Sequence, residues 1–117
     1  MLPEKKIEIA AKALFDKKAL DVSCVKVSEL TSLSEYFLMA SATSSTHVHA
    51  LADEVDFVLS KAGLEPKSKE GRATDWVLLD YGDLIVHVFS ANARAFYGLD
   101  KMWSDGTPVD LTAWEEK

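Results

Sequence analysis

Residues 75–89, DWVLLDYGDLIVHVF, give the clearest structural signal in this chain. They contain two apolar runs separated by Gly82 and Asp83, and a Gly-Asp pair between two β-rich runs is a hairpin signal. The stretch therefore predicts two antiparallel strands that are largely buried. Four residues of the stretch are not needed merely to fill a core: Trp76, Asp80, Tyr81 and Asp83. They raise the question of whether such residues hold the fold, catalyse a reaction or contact a partner.

Upstream of this hairpin, helical and strand patterns alternate. Pro3 and Glu4 open a predicted helix whose apolar residues recur every three or four positions. Residues 21–27 predict a short strand. Residues 35–42 include five consecutive apolar residues, which predicts a central strand that is covered on both faces. A second helix is predicted after residues 43–46 (TSST), whose hydroxyl groups suit a helix N-cap.

The remaining patterns complete one domain. Residues 64–74 are polar, and Pro66 restricts any strand there to the edge of a sheet. Residues 90–103 predict a capped short helix and the segment that leaves it. The predicted domain therefore covers residues 1–103, and residues 104–117 are predicted to be a loose tail. The order α-β-β-α-β-β-β-α indicates a single α/β domain with a mixed β-sheet flanked by helices.

Composition excludes several classes of protein. The chain has 117 residues, 48% of them hydrophobic, enough for one domain with its own core. Cys24 is the only cysteine, so no intramolecular disulfide can form. No apolar run approaches the ~18 residues of a membrane span, and the N-terminus lacks the pattern of a secretory signal, so we expect a cytoplasmic protein. The net charge of −6 argues against binding of the protein to a nucleic-acid backbone and is compatible with a basic protein partner.

The side chains that could bind metal or act as nucleophiles form no recognisable constellation. His47 and His49 are two positions apart, a spacing that points them to different faces of a helix. His87 lies inside a predicted strand, and Cys24 is interpreted as a small core residue. We therefore expect no metal and no cofactor.

Residues 43–46 leave one enzymatic alternative open. A strand followed by a helix N-terminus can hold an anion through backbone N–H groups, as in nucleotidyltransferases. Those enzymes also use a Gly-Ser turn and an Asp-x-Asp pair that holds magnesium, and this chain contains neither pattern. Asp80 and Asp83 straddle the predicted turn, and shaping that turn is a sufficient role for them. The alternative is a nucleotide-binding or nucleotidyltransferase-like enzyme that uses residues 43–46.

Three blocks carry a resemblance to a known family: TSSTHVHALADEV, EGRATDWVLLDYGDLIVHVF and ARAFYGLDKMW, in that order over residues 43–103. The chain resembles the ribosomal silencing factor family (RsfS, also called Iojap). The resemblance implies a nucleotidyltransferase-like architecture without the catalytic residues, and therefore a protein that is not an enzyme. A third hypothesis is a dimeric adaptor whose aromatic residues serve only self-association.

The resemblance also implies a partner and a mechanism. Family members bind the large ribosomal subunit through ribosomal protein L-fourteen, block joining of the small subunit and repress translation when nutrients are short. Free members are often homodimers. By position, Trp76, Tyr81 and Tyr97 are expected to contact the ribosomal protein, with Asp80 and Asp83 near the same face. Because Trp76 and Tyr81 are five residues apart, sharing a partner requires Tyr81 to lie at the hairpin tip, as we expect.

Overall fold

A computed structural model describes residues 1–71 and 75–115, and within those ranges the chain forms four helices and six strands. The helices are α1 (Pro3–Asp16), α2 (Ser45–Lys61), α3 (Ala91–Tyr97) and α4 (Leu99–Met102). The strands are β1 (Leu20–Lys26), β2 (Tyr36–Ala42), β3 (Ser68–Gly71), β4 (Trp76–Asp80), β5 (Leu84–Ser90) and β6 (Thr107–Val109). Every helix in the described part of the chain is too short or too polar to span a bilayer.

One mixed sheet holds all of these strands, in the order β3-β4-β5-β2-β1-β6. Its two central strands, β2 and β5, are parallel neighbours, and the connection between them runs through α2. The other strand pairs are antiparallel. β2 is buried along its whole length, as its unbroken apolar run predicted, and β3 lies at an edge. The predicted α/β domain with a mixed sheet and flanking helices is confirmed.

The sheet separates two unequal cores. α1 and α2 pack together on one face, where Leu38 and Ala40 of β2 point, and this side holds most of the buried residues. Phe37 and Met39 alternate with them and point to the opposite face, because successive strand residues point to opposite sides of a sheet. The described residues cover that second face with the short helices α3 and α4, which leaves its side chains partly open to solvent.

The hairpin is the one that the sequence predicted. β4 and β5 are antiparallel, and the N–H of Tyr81 donates to the carbonyl of Leu84 at 2.8 Å, so that Gly82 and Asp83 form a two-residue loop. Gly82 has a φ of 88°, a left-handed conformation that favours glycine. Its N–H donates to Asp80 Oδ1 at 2.8 Å, which gives Asp80 the turn-shaping role expected of it.

Part of the segment expected to be a loose tail is instead packed onto the domain. β6 pairs with β1, with Pro108 opposite Val25, and Leu111 is buried. A Cβ at Gly106 would lie 2.4 Å from Val25 Cγ2, so the chain passes β1 at a distance that only glycine permits. The prediction was wrong for residues 107–111: Gly106 and Pro108 favour a loop locally, but proline is also compatible with an edge strand.

Candidate protein-binding face

The hairpin places its side chains alternately on the two faces of the sheet. Val77 and Leu79 of β4 point into the core beneath α1 and α2. Trp76 and Leu78 point to the opposite side, where α3 and α4 cover only part of the sheet. Trp76 lies opposite Phe89 in the strand register, so both belong to this second face.

A connected row of rings crosses this second face. In order across the sheet, the row consists of Trp103, Phe37, His87, Trp76, Tyr97 and Phe96, which we call the aromatic face. Successive ring centroids are 4.7 to 6.1 Å apart, which is the range of favourable aromatic pairs. The row links β2, β4, β5, α3 and the end of α4, so its rings are held by several elements at once.

Exposure rises from Phe37 to Phe96, which forms the open end of the aromatic face. Phe37 is buried and Trp76 is half-buried, whereas Tyr97 is 49% exposed and Phe96 is 82% exposed. Met102 on α4, next to Trp103 in the chain, adds another exposed apolar side chain. Large aromatic side chains that are anchored at one end and open at the other are typical of the energetic centres of protein interfaces.

Trp76 and Tyr97 lie together, as a shared partner requires. Their ring centroids are 4.7 Å apart at an interplanar angle of 46°. Tyr97 is the last residue of α3. Gly98 caps this helix in a left-handed conformation (φ 62°), and the chain turns there into α4. The two positions selected by resemblance are therefore a contiguous, partly exposed surface.

Tyr81 does not join this surface. It is 3% exposed and packs in the core beneath α1 and α2, so the expectation that it lies at the hairpin tip beside Trp76 is wrong. The cause is its backbone bond to Leu84, which continues the strand ladder to residue 81 and with it the alternation of side chains. Burial, followed by the charges of Asp56 and Glu65, raises the pKa of Tyr81 well above its usual value.

Asp83 also faces away from the aromatic face. Its Oδ1 accepts a hydrogen bond from Lys6 Nζ at 2.6 Å, and Lys6 belongs to α1 on the other side of the sheet. Lys6 Nζ also donates to the carbonyl of Tyr81 at 3.0 Å. The expectation that Asp83 lies near the same face as Trp76 is therefore wrong. The signal in the sequence was Lys6 itself, which interrupts the apolar stripe of α1 and is buried there.

Two backbone N–H groups at the turn of residues 43–46 and the start of α2 are hydrogen-bonded to side chains of the protein. Ser44 Oγ accepts from the N–H of His47 at 3.1 Å, as a helix N-cap does. His47 Nδ1 lies 3.0 Å from the N–H of Thr43, and its Nε2 lies 2.9 Å from the carbonyl of Lys17. An N–H can only donate, so Nδ1 accepts and Nε2 carries the proton. The N–H groups of Thr43 and His47 are therefore already bonded within the protein and are not free for a phosphate.

Arg94 is a buried residue that sequence reasoning missed. Its guanidinium forms a fork with both carboxylate oxygens of Asp100, at 2.7 and 2.8 Å. It also donates to the carbonyl of Asp21, to Ser41 Oγ and to Ser23 Oγ, at 2.6, 3.0 and 3.1 Å. These contacts use all five N–H donors, so Arg94 fastens α3 to the sheet and keeps no donor for an anion in the adjacent cleft of about 520 Å³.

The cysteine and the potential metal ligands of the described residues also form no reactive site. Burial raises the pKa of the Cys24 thiol to about 12, which keeps it protonated and unreactive. Within residues 1–71 and 75–115, no group of three or more His, Cys, Asp or Glu side chains is placed to hold a metal ion. The arrangement of the described residues thus suits recognition of another macromolecule by the aromatic face.

The fold and this face define the class: a small α/β domain that offers an aromatic surface beside a short helix pair. Comparison of the sequence with known families identifies the family within this class. The family model described as "Ribosomal silencing factor during starvation" matches residues 2–117. The chain belongs to the ribosomal silencing factor family, as its sequence motifs indicated.

Individual relatives agree with this membership. The ribosomal silencing factor of Halalkalibacterium halodurans is 36% identical over 112 residues, which cover 95% of this chain and 96% of that protein. The chloroplastic protein Iojap of Zea mays is 31% identical over 86% of this chain and 44% of that protein. A crystal structure of a protein from Chromobacterium violaceum matches with a TM-score of 0.85 and 33% identity, covering 95% of this chain and 93% of that one.

Proposed function

We propose that this protein is a ribosome-binding repressor that acts by occupying a surface and not by catalysis. Its partner is ribosomal protein L-fourteen on the large subunit, and its presence there prevents the small subunit from joining when nutrients are short. Family membership supports the ribosome as the target. The observation that carries the proposal is the partly exposed pair of Trp76 and Tyr97 at the open end of the aromatic face.

The pair is suited to tight binding because it is already ordered. Trp76 lies in β4, and Tyr97 lies in α3, which the five hydrogen bonds of Arg94 hold against the sheet. A preorganised surface loses little conformational freedom on binding, so more of its contact energy is available for affinity. Trp and Tyr are among the residues that most often dominate binding energy at interfaces.

Electrostatics favour a basic partner through the whole domain. The net charge of −6 attracts a basic ribosomal protein and speeds their encounter at low salt. Asp80 and Asp83 contribute to this field, but their carboxylates are bonded to Gly82 and Lys6, so their first role is in the fold. Steering is therefore a property of the overall charge.

No contact favours the enzymatic alternative at residues 43–46. The N–H groups of Thr43 and His47 are bonded within the protein, which leaves fewer donors for a phosphate at this turn. Thermal unfolding with magnesium and a nucleotide tests this directly, because any ligand that binds the folded state raises its melting temperature. We expect no shift with ATP or GTP.

Co-sedimentation with purified large subunits tests the proposed function. We expect equimolar binding by the unaltered protein and loss of binding in Tyr97→Ala. Phe57→Ala is the matched control, because Phe57 is a comparably exposed aromatic residue on α2, in the helix layer on the other side of the sheet. Absence of binding by the unaltered protein contradicts the proposal. If the protein binds and Phe57→Ala is the weaker variant, the aromatic face is not the contact surface.

Self-association uses the same kind of surface, and the protein is also proposed to be a homodimer when free. Sedimentation equilibrium of the same variants separates the two roles. If Tyr97→Ala abolishes the dimer and leaves binding to large subunits intact, the aromatic face serves only self-association, as in the adaptor hypothesis. If it abolishes subunit binding, the face is a ribosome contact.

A further inference from the structure

His87 is a polar residue at the centre of the aromatic face. It lies in β5 opposite Leu78, and it is only 6% exposed. Its ring meets the edge of Phe37 at a centroid distance of 5.0 Å and stacks near Phe89 at 6.3 Å. These neighbours are apolar, so an apolar residue would satisfy the packing at this position at least as well as a histidine.

One of the two ring nitrogens has a specific partner. The indole Nε1–H of Trp76 points to His87 Nδ1 at 3.4 Å. An indole N–H can only donate, so Nδ1 accepts and the ring proton is on Nε2. Burial lowers the pKa of His87 to about 4, so the ring is neutral near physiological pH and Nδ1 keeps its lone pair for Trp76.

The other ring nitrogen has none. Among the described residues His87 Nε2 is buried without a hydrogen-bond partner. A buried donor without an acceptor destabilises a folded protein, and a phenylalanine here would avoid that loss. The histidine is therefore better explained by what its Nδ1 does for Trp76 than by its packing.

We propose that His87 is a positioning residue for partner binding, which fixes the indole of Trp76 in the orientation that meets Tyr97 and the partner. Without the acceptor, the half-buried indole can rotate about its side-chain bonds, and the surface that it forms with Tyr97 is no longer preorganised. The inference rests on the proposed function, because it concerns the same face.

Three variants separate this role from a structural one. His87→Phe keeps an aromatic ring, although a larger one, and removes the acceptor, so we expect it to fold yet to bind large subunits about fivefold to tenfold more weakly. His87→Asn keeps an acceptor close to the place of Nδ1, so we expect it to lose stability yet to retain binding within about threefold. Binding by His87→Phe at the unaltered affinity overturns the proposal, and so does an equal loss of binding in both variants.

The third variant, Trp76→Phe, completes a double-mutant cycle. It removes the indole N–H, so adding His87→Phe to it should weaken binding no further. If His87→Phe weakens binding equally in both backgrounds, its effect does not pass through Trp76 and the proposal is wrong. Failure of the unaltered protein to bind large subunits, by contrast, refutes the proposed function, and the orientation of Trp76 is then tested by spectroscopy alone.

Nuclear magnetic resonance of the unaltered protein needs no variant to fold. The nitrogen chemical shifts of His87 report which ring nitrogen carries the proton, and the indole N–H of Trp76 reports its own hydrogen bond. We expect a protonated Nε2, an unprotonated Nδ1 and slow solvent exchange of the Trp76 indole proton. A proton on Nδ1, or an indole proton that exchanges as fast as in a free side chain, overturns the inference.

Discussion

Lys6 of α1 and Asp83 of the hairpin loop form an ion pair of 2.6 Å between residues 77 positions apart in the chain. Lys6 is buried, and it also donates to the carbonyl of Tyr81, so it ties the hairpin to the helix layer. This contact gives Asp83 a role in the fold, and it leads to a first prediction about stability.

Asp83→Asn should lower the free energy of unfolding by about 1–2 kcal/mol, because the buried cation of Lys6 loses its counter-charge while keeping a neutral acceptor. Urea denaturation measures this change. Glu8→Gln is the matched control: Glu8 pairs with Lys5 and Lys12 on the exposed side of the same helix, where ion pairs contribute little. If both variants lose the same stability, the buried ion pair is not special and this interpretation is wrong.

Arg94→Lys should lower the free energy of unfolding by about 2 kcal/mol, because lysine cannot reproduce a five-donor fork that reaches two strands and α4. Amide hydrogen exchange should be faster in α3, and binding through Tyr97 should weaken with it. Lys101→Met, at an exposed position of α4, is the control. It should change neither the free energy of unfolding nor the hydrogen exchange of α3. Unchanged exchange in α3 would show that Arg94 does not hold this helix.

Acid should destabilise the protein through His87. Burial lowers its pKa from 6.5 to about 4, so between these values the unfolded chain binds a proton that the folded chain does not. Stability is therefore complete above about pH 6.5 and declines as the pH falls towards 4, by about 2 kcal/mol between pH 7 and pH 5. Urea denaturation of the unaltered protein and of His87→Asn isolates this effect, because the asparagine does not titrate. The stability difference between the two should shrink as the pH falls, and a constant difference would contradict the assignment.

Tyr97→Ala should weaken binding to large subunits by roughly 2 kcal/mol or more, because it truncates a large aromatic residue at the expected centre of the interface. Tyr97 is 49% exposed, so the domain should remain folded. Trp76→Ala should weaken binding at least as much, with some loss of stability because that indole is half-buried. Isothermal titration with purified large subunits measures both affinities, and circular dichroism checks the fold. Unchanged affinity in both variants would remove the aromatic face from the interface.

The secondary structure was predictable because its signals are local. The Gly82–Asp83 turn, the Ser44 cap and the unbroken apolar run of β2 each depend on a few neighbouring residues, and the structure retains all three. Local rules also predicted that Trp76 and Tyr81 point to opposite faces. Placing Tyr81 at the tip gave the adjacent glycine more weight than strand alternation, and alternation prevails.

The parts that were missed depend on contacts between distant segments. The guanidinium of Arg94 reaches the carbonyl of Asp21, 73 residues away, and no local pattern marks such a pair. Gly106 is required because β1 passes close to it, which only the assembled sheet reveals. His47 likewise connects the turn before α2 to the end of α1 at Lys17. Local spacing gives no sign of these contacts, because each partner comes from elsewhere in the fold.

Steric exclusion of the small subunit is tested by sedimentation of mixed ribosomal subunits. Purified small and large subunits are combined under conditions that favour joining, with the unaltered protein, with Tyr97→Ala or with Phe57→Ala. We expect the unaltered protein and Phe57→Ala to keep the subunits apart without any nucleotide, and excess small subunit to displace them, because the two binding events are mutually exclusive. Tyr97→Ala should allow joining. If joined ribosomes form normally while the unaltered protein sediments with them, exclusion is not how this protein acts.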